Sequence, residues 1–228
     1  MTLRKDDAIK GIITDFENMA NLVLLQLDTL ESILGIGDFQ IPAGIKEQIA
    51  INEAQLDKME IKLSEKIVNS IVLFQPVASD IRKIMACQRM VTSLERIGDY
   101  VRNIAKELEE IESRAVFEKL SDVISTMYSA SLNMVQKSLI SFLNEDKELA
   151  IWTIKNDEEI GKLNQRMLKK AIKKVPVEAD FTSTLISFIT IKEIIQNIER
   201  IADHAANIAE AAIYSFEGKD IRHQKLDN

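Results

Sequence analysis

Glycine and proline are scarce in this chain, at seven and three of 228 residues. So few breaks argue against a turn-dense β fold and favour long helices. Cysteine is nearly absent. The single Cys87 cannot form an internal disulfide, and a buried, inert thiol in a reducing cytosol is the reading that fits. Histidine occurs only as His204 and His223, too few to assemble a Ser/His/Asp or Cys/His catalytic set. A basic excess is missing too: the net charge is −7 and the pI near 5.1, which argues against a nucleic-acid partner. No stretch approaches 18 consecutive apolar residues, so no membrane span is expected. The opening MTLRKDDAIKGIITDFE has acids where a signal peptide needs an apolar run, which points to the cytoplasm.

What the chain does have is apolar residues at 3- and 4-residue spacing. Hydrophobic residues make up 46% and charged residues 29%, enough for a sizeable core in 228 residues. Ile9, Ile12, Phe16, Met19, Val23, Leu27, Leu30 and Leu34 form one stripe of an amphipathic helix that Gly35 and Gly37 end. Pro42 opens a second helix running to about Leu73. After Pro76, with Ser79 or Asp80 as cap, a third runs to about Glu112. The pattern restarts over roughly 115–144 and 147–174. Pro176 interrupts it, and a sixth helix runs from about Asp180 to Phe216.

The two halves repeat one another. SLERIGDYVRNIAKE, residues 93–107, and NIERIADHAANIAE, residues 197–210, align at an offset of 104 residues, Glu95 on Glu199, Asp99 on Asp203 and Asn103 on Asn207. The same offset carries Glu53 onto Asp157 and Leu56 onto Ile160. The fold expected is all-α: two tandem, duplicated antiparallel three-helix bundles of six long helices. Residues 1–112 form the first repeat, 113–216 the second, and 217–228 a polar tail.

Residues at i, i+4 and i+8 share a helix face, so each motif presents a stripe of side-chain oxygens. Like charges at that spacing cost an isolated helix roughly 0.2–0.5 kcal/mol. Folding the third helix back on the second brings Glu53 level with residue 97 and Asp57 with residue 93; in the second half Asp157 comes level with residue 197. Two readings fit. One is a solvated face with Arg96–Asp99 and Arg200–Asp203 salt bridges. The other is a cation site, because clustered carboxylates and amide oxygens suit Mg²⁺, Ca²⁺, Mn²⁺ or iron.

LERIGDYVRNIAKE and IERIADHAANIAE resemble the two signature helices of the PhoU family, and LFQPVASDIRKI and DKMEIKLSEK resemble its third-helix entry and second helix. The likeness covers essentially the whole chain. It implies two three-helix bundles, a homodimer, and a non-enzymatic cytoplasmic adaptor. Such an adaptor links the ATPase subunit of an ABC phosphate transporter to a sensor histidine kinase, restraining uptake and phosphate-starvation genes, and meets the membrane only through its partners. It also implies metal ligation by Glu95, Asp99, Glu199 and Asp203, with Glu53, Asp57, Asn103, Asp157 and Asn207 in support, and Fe, Zn, Mn or Mg as the ion. Gly161, where the first half has Asp57, suggests the poorer site lies in the second half. A cytosolic metal-binding bundle or a regulator of a sodium–phosphate cotransporter is the alternative.

The remaining features read as structural. His204 points about 100° away from Asp203 and suits an exposed or interface position. Lys169, Lys170, Lys173 and Lys174 sit where a helix dipole favours cations. Gly35-Ile36-Gly37 is a helix terminator, Trp152 a core or interface residue, and His223 part of a frayed tail. Ala202, Ala205, Ala209 and Ala212, with Gly98 and Ala105, allow close helix approach and leave little room for a pocket.

Overall fold

Left-handed glycines end the first and last helices. Gly37, with φ +70°, stops the first, and Gly218, with φ +71°, stops the last. The computed structural model describes residues 2–37, 39–173 and 180–222. Six helices run α1 (Thr2–Ile36), α2 (Ala43–Phe74), α3 (Ser79–Glu109), α4 (Arg114–Leu143), α5 (Lys147–Ile172) and α6 (Phe181–Glu217). Among the described residues there is no strand. Lys174, Pro176 and His223 lie outside the described residues.

The caps correct two expectations. Neither Ser79 nor Asp80 caps α3. Ala78 holds the N-cap position at φ 49° without a side-chain bond, and Asp80 pairs instead with Lys5 of α1, Nζ to Oδ2 2.5 Å. The third helix also stops at Glu109, short of Glu112. The boundary near Ser113, which has no Gly or Pro, is made by hydroxyls. Ser113 Oγ accepts from the Val116 amide, and Ser187 Oγ of α6 accepts from the Glu112 and Ser113 amides at 3.1 and 2.8 Å. Asp180 caps α6 by accepting from the Thr182 and Ser183 amides.

Helices α1, α2 and α3 pack as one antiparallel unit and α4, α5 and α6 as another. The broadest contact of all joins them, α3 against α6, with α1 against α4 beside it. Helices α2 and α5 flank this central four-helix layer. Tyr100 and His204, equivalent in the repeat, stack ring to ring with centroids 5.8 Å apart. Glu107, seven residues beyond Tyr100, bonds Asn197, seven before His204. The two helices therefore run antiparallel about a pseudo-twofold through that ring pair.

The apolar stripes meet in one core that crosses between the units. Ile12, Phe16, Met19, Val23, Leu27 and Leu30 of α1 are fully buried and share a continuous cluster with Leu120, Ile124, Met127 and Phe142 of α4. Phe16 and Phe142 meet edge to face at 5.3 Å, and the Tyr128 hydroxyl donates to the Leu27 carbonyl at 3.0 Å. Each such side chain contributes about 1.5–3 kcal/mol by leaving water. Helix α1 is long and apolar enough over residues 5–36 to cross a membrane, but the stripe responsible is spent on this core.

The tail is less free than the sequence suggests. Ile221 is buried against Ala150, Ala209 and Ile213, and Asp220 lies 3.6 Å from Arg89 of α3. Gly98 is where close approach is tightest: a Cβ there would stand 2.5 Å from Leu56 Cδ1. Cys87 is fully buried, and burial pushes its thiol up to about 12, so it is inert.

Candidate functional site

Each acidic stripe lies on the side of its motif helix that faces the flanking helix, so Glu95 and Asp99 look toward α2, Glu199 and Asp203 toward α5. The α2–α3 register follows from three bonds: Ser64 with Gln88, Glu60 with Thr92, and Glu53 with Arg102. Glu53 thus stands opposite residues 99–102, about half a turn beyond the expected residue 97. The shift comes from the short link after Gln75, which turns the chain through two positive-φ residues, Gln75 and Ala78.

In the first half the carboxylates are already partnered. Arg102 Nη1 donates to Glu53 Oε1, and its Nη2 reaches Asp99 Oδ1 at 3.3 Å. Arg96 Nη1 takes the other oxygen of Asp99 at 3.2 Å, and its Nε lies 3.4 Å from Glu95 Oε2. The result is an alternating chain, Glu53–Arg102–Asp99–Arg96–Glu95. Glu95 is pushed up to about 7, by burial first and then by Asp99, with Arg96 opposing and Glu60 and Asp57 adding repulsion. Asp57 itself is exposed, and Asn103 is half-buried.

The second half is built differently. Asp157, Glu199 and Asp203 line an open cleft of about 670 Å³ between α5 and α6, with Gly161 and Tyr100 of α3 also on its wall. A cleft here departs from the expectation that packed helices leave little room for a pocket; Gly161 and Ala202 create the space, since neither carries a bulky side chain. Arg200 pairs with Asp203 at 3.2 Å, as the sequence suggests. Among the described residues, no ion pair reaches Asp157 or Glu199. Asp157 rises to about 6, through burial first and then Asp203, Glu158 and Glu199; Glu199 is raised by burial and Asp203, with Arg200 opposing. The residue equivalent to Arg102 is Ala206. Asn207 is exposed and off the cleft wall.

Of the two positions expected for His204, exposed or interface, it takes the second, half-buried between α3 and α6. Its ring packs on Tyr100, its Nδ1 is buried without a hydrogen-bond partner, and burial lowers its pKa. Lys169, Lys170 and Lys173 are exposed, as a solvated helix end requires. Trp152 is partly buried, with Lys137 Nζ 3.3 Å above its ring.

Among the described residues, no three carboxylate, imidazole or thiol groups converge closely enough to hold a metal ion. In the first half the residues do not fit one, because guanidinium groups fill the space between the carboxylates. In the second the donors are of the right kind, hard oxygens spread round the cleft wall; Asp203 is paired with Arg200, while among the described residues no ion pair reaches Asp157 or Glu199. Sequence reasoning passed over Arg102, Glu60 and the lining role of Tyr100. The signal for Arg102 was available as a break in the repeat, a cation three residues after Asp99 with only Ala206 opposite it.

The chain is thus a duplicated, antiparallel six-helix protein with one acidic stripe in each half. A family model, PhoU domain, matches residues 16–108 and again 124–212, and the chain belongs to the PhoU family. It is 26% identical over 220 residues to the phosphate-specific transport system accessory protein PhoU homolog of Burkholderia sp, across 96% of this chain and 91% of that protein. The homolog of the same description from Pseudomonas aeruginosa is 30% identical over 185 residues, covering 79% and 74%. The crystal structure of PhoU from Pseudomonas aeruginosa superposes with a TM-score of 0.78 at 26% identity, covering 94% of this chain and 99% of that one. The Streptococcus pneumoniae PhoU structure, 21% identical over 98% of this chain and 100% of its own, has the same fold with a TM-score of 0.78.

Proposed function

We propose that this chain is a PhoU-type accessory protein of a phosphate-specific transport system, acting as an adaptor in the cytoplasm and not as an enzyme. The observation that carries the reading is the doubled PhoU unit, matched in both halves and along nearly the full length of relatives that bear that description. An adaptor needs broad helical faces more than a substrate pocket. This one exposes apolar side chains on α2, Val68, Val72 and Leu73, and on α6, Phe181, Leu185 and Ile189. In the finer reading those faces serve a homodimer, the ATPase subunit of an ABC phosphate transporter and a sensor histidine kinase, through which the protein restrains uptake and starvation genes. A hard cation such as Mn²⁺ or Mg²⁺ in the second-half cleft would draw on Asp157, Glu199 and Asp203, whose side chains would have to converge from the cleft wall to hold it. It would add positive charge beside Asp157 and Glu199, which no ion pair reaches among the described residues.

Deletion of the gene is expected to leave phosphate-starvation genes expressed when phosphate is plentiful, with wild-type complementation restoring repression. A folded variant with Glu95, Asp99, Glu199 and Asp203 all changed to Ala separates the stripes from the scaffold. The adaptor reading fails if the deletion strain represses normally and the purified protein captures neither ATPase nor kinase.

A further inference from the structure

Duplication gave both halves the same acidic stripe, but only one kept it open. We infer that Arg102 is the resident cation of the first half, its guanidinium bridging Glu53 and Asp99 so that this cluster is built to work without a metal ion. The bridge spans two helices, Glu53 on α2 and Asp99 on α3, which is the role a divalent ion would play between oxygen ligands. A planar guanidinium suits it, because its two terminal nitrogens can each serve a different carboxylate.

Three further observations agree. Glu53 and Asp99 are well shielded, with side chains 15% and 19% exposed, so their pairing with Arg102 is made largely out of water, where charge pairing is strongest. Arg102 Nε is buried without an acceptor, so the side chain is held by the two carboxylates and not by a wider network. At the equivalent place in the second half the chain has Ala206, and among the described residues no guanidinium bridges Asp157 to Asp203; Arg200 pairs with Asp203 alone. What is left in the first half, Glu95 with Asp57 and Glu60, has Arg96 set against it.

The test isolates the first half by silencing the second with Asp157→Asn, Glu199→Gln and Asp203→Asn. In that background Mn²⁺ titration, followed by melting temperature and by calorimetry, is expected to give no saturable response. Adding Arg102→Met, which keeps the aliphatic stem, should create one, a rise of roughly 5–10 °C at about a hundredfold excess over Kd. Glu53→Gln in the same protein should abolish it. A saturable Mn²⁺ response with Arg102 in place overturns the inference, and so does its absence after Arg102→Met. Should Arg102→Met fail to fold, Arg102→Ala, which installs the residue that the second half carries at Ala206, is read by the same criteria. Wild-type protein that ignores Mn²⁺ counts against the second-half cation site alone, and leaves these arms to decide the first.

Discussion

Glu53 meets a guanidinium in the first half, whereas its counterpart Asp157 meets only other carboxylates in the second. The scaffold around the two is the same: a flanking helix on a motif helix, with an Arg–Asp pair at 3.2 Å in each. Three substitutions across the repeat account for the difference. Arg102 faces Ala206, Asp57 faces Gly161, and Gly98 faces Ala202. In the first half, ion pairing fills the space between the carboxylates and Leu56 packs tightly on Gly98, whereas the second is opened into the larger cleft. Loss of an acid at Gly161 suggests a poorer cation site from sequence alone. The missing Arg acts in the opposite direction, because Arg102 occupies Glu53 and Asp99 in the first half.

The largest expected effect asks whether the halves are separate at all. Phe16→Ala should cost about 3–5 kcal/mol, since it opens a cavity beside Phe142 in a fully buried part of the core. Trp152, the only tryptophan, lies in α5 on the far side of the pseudo-twofold. If the core is continuous, its fluorescence transition should shift to lower denaturant together with the circular dichroism transition. A Trp152 transition that stays in place while helicity melts earlier would mean the halves unfold independently.

A smaller effect sharpens the contrast at the motif helices. Gly98→Ala would place a methyl 2.5 Å from Leu56 Cδ1 and 3.3 Å from Gln26 Oε1, in a region with no slack. About 1–3 kcal/mol of destabilisation is expected from overpacking, despite the helix preference for Ala. The reverse change, Ala202→Gly, should cost only about 1 kcal/mol, through helix propensity. Chemical denaturation of the pair checks this. Equal costs would mean that Leu56 swings aside freely and that the first half is not packed more tightly.

Helix positions were legible because apolar spacing of three and four survives along every segment, and the duplication was legible because a constant offset needs no structure. The acidic stripes were placed on a common face for the same reason. Periodicity says which face of a helix is apolar, but not which helix will cover it, so the antiparallel α3–α6 seam and the meeting of Tyr100 with His204 could not be read. Arg102 was missed because matching two halves keeps the positions that agree. The chemistry that separates these sites sits at positions that differ. The half-turn shift of Glu53 depended on backbone at Gln75 and Ala78, whose positive φ no residue preference announces.

The smallest effect lies at that unread seam, where the halves again differ. Glu107 accepts two hydrogen bonds from Asn197 Nδ2, at 2.8 and 2.9 Å, while the pseudo-symmetric pair is Ser93 and Ala211 and has no charge. Burial pushes Glu107 up to about 7; Asn197 opposes this, and Glu193 and Glu110 add repulsion. An unfolded Glu titrates near 4.3, so between that value and about 7 the folded protein binds the extra proton. Stability from this group is thus fully present below the unfolded value and falls as pH rises through the folded one. Glu95, Asp157 and Glu199 act with the same sign, and His204, whose pKa is lowered, acts against them below about 6.5. The melting temperature should therefore be higher at pH 5.5 than at pH 8. Glu107→Gln, which preserves a bond to Asn197 without the charge, should flatten that difference by about 2 °C, mostly by raising the value at pH 8. If the variant keeps the full wild-type pH slope, Glu107 is ionised in the folded protein throughout that range, and the seam contributes nothing to it.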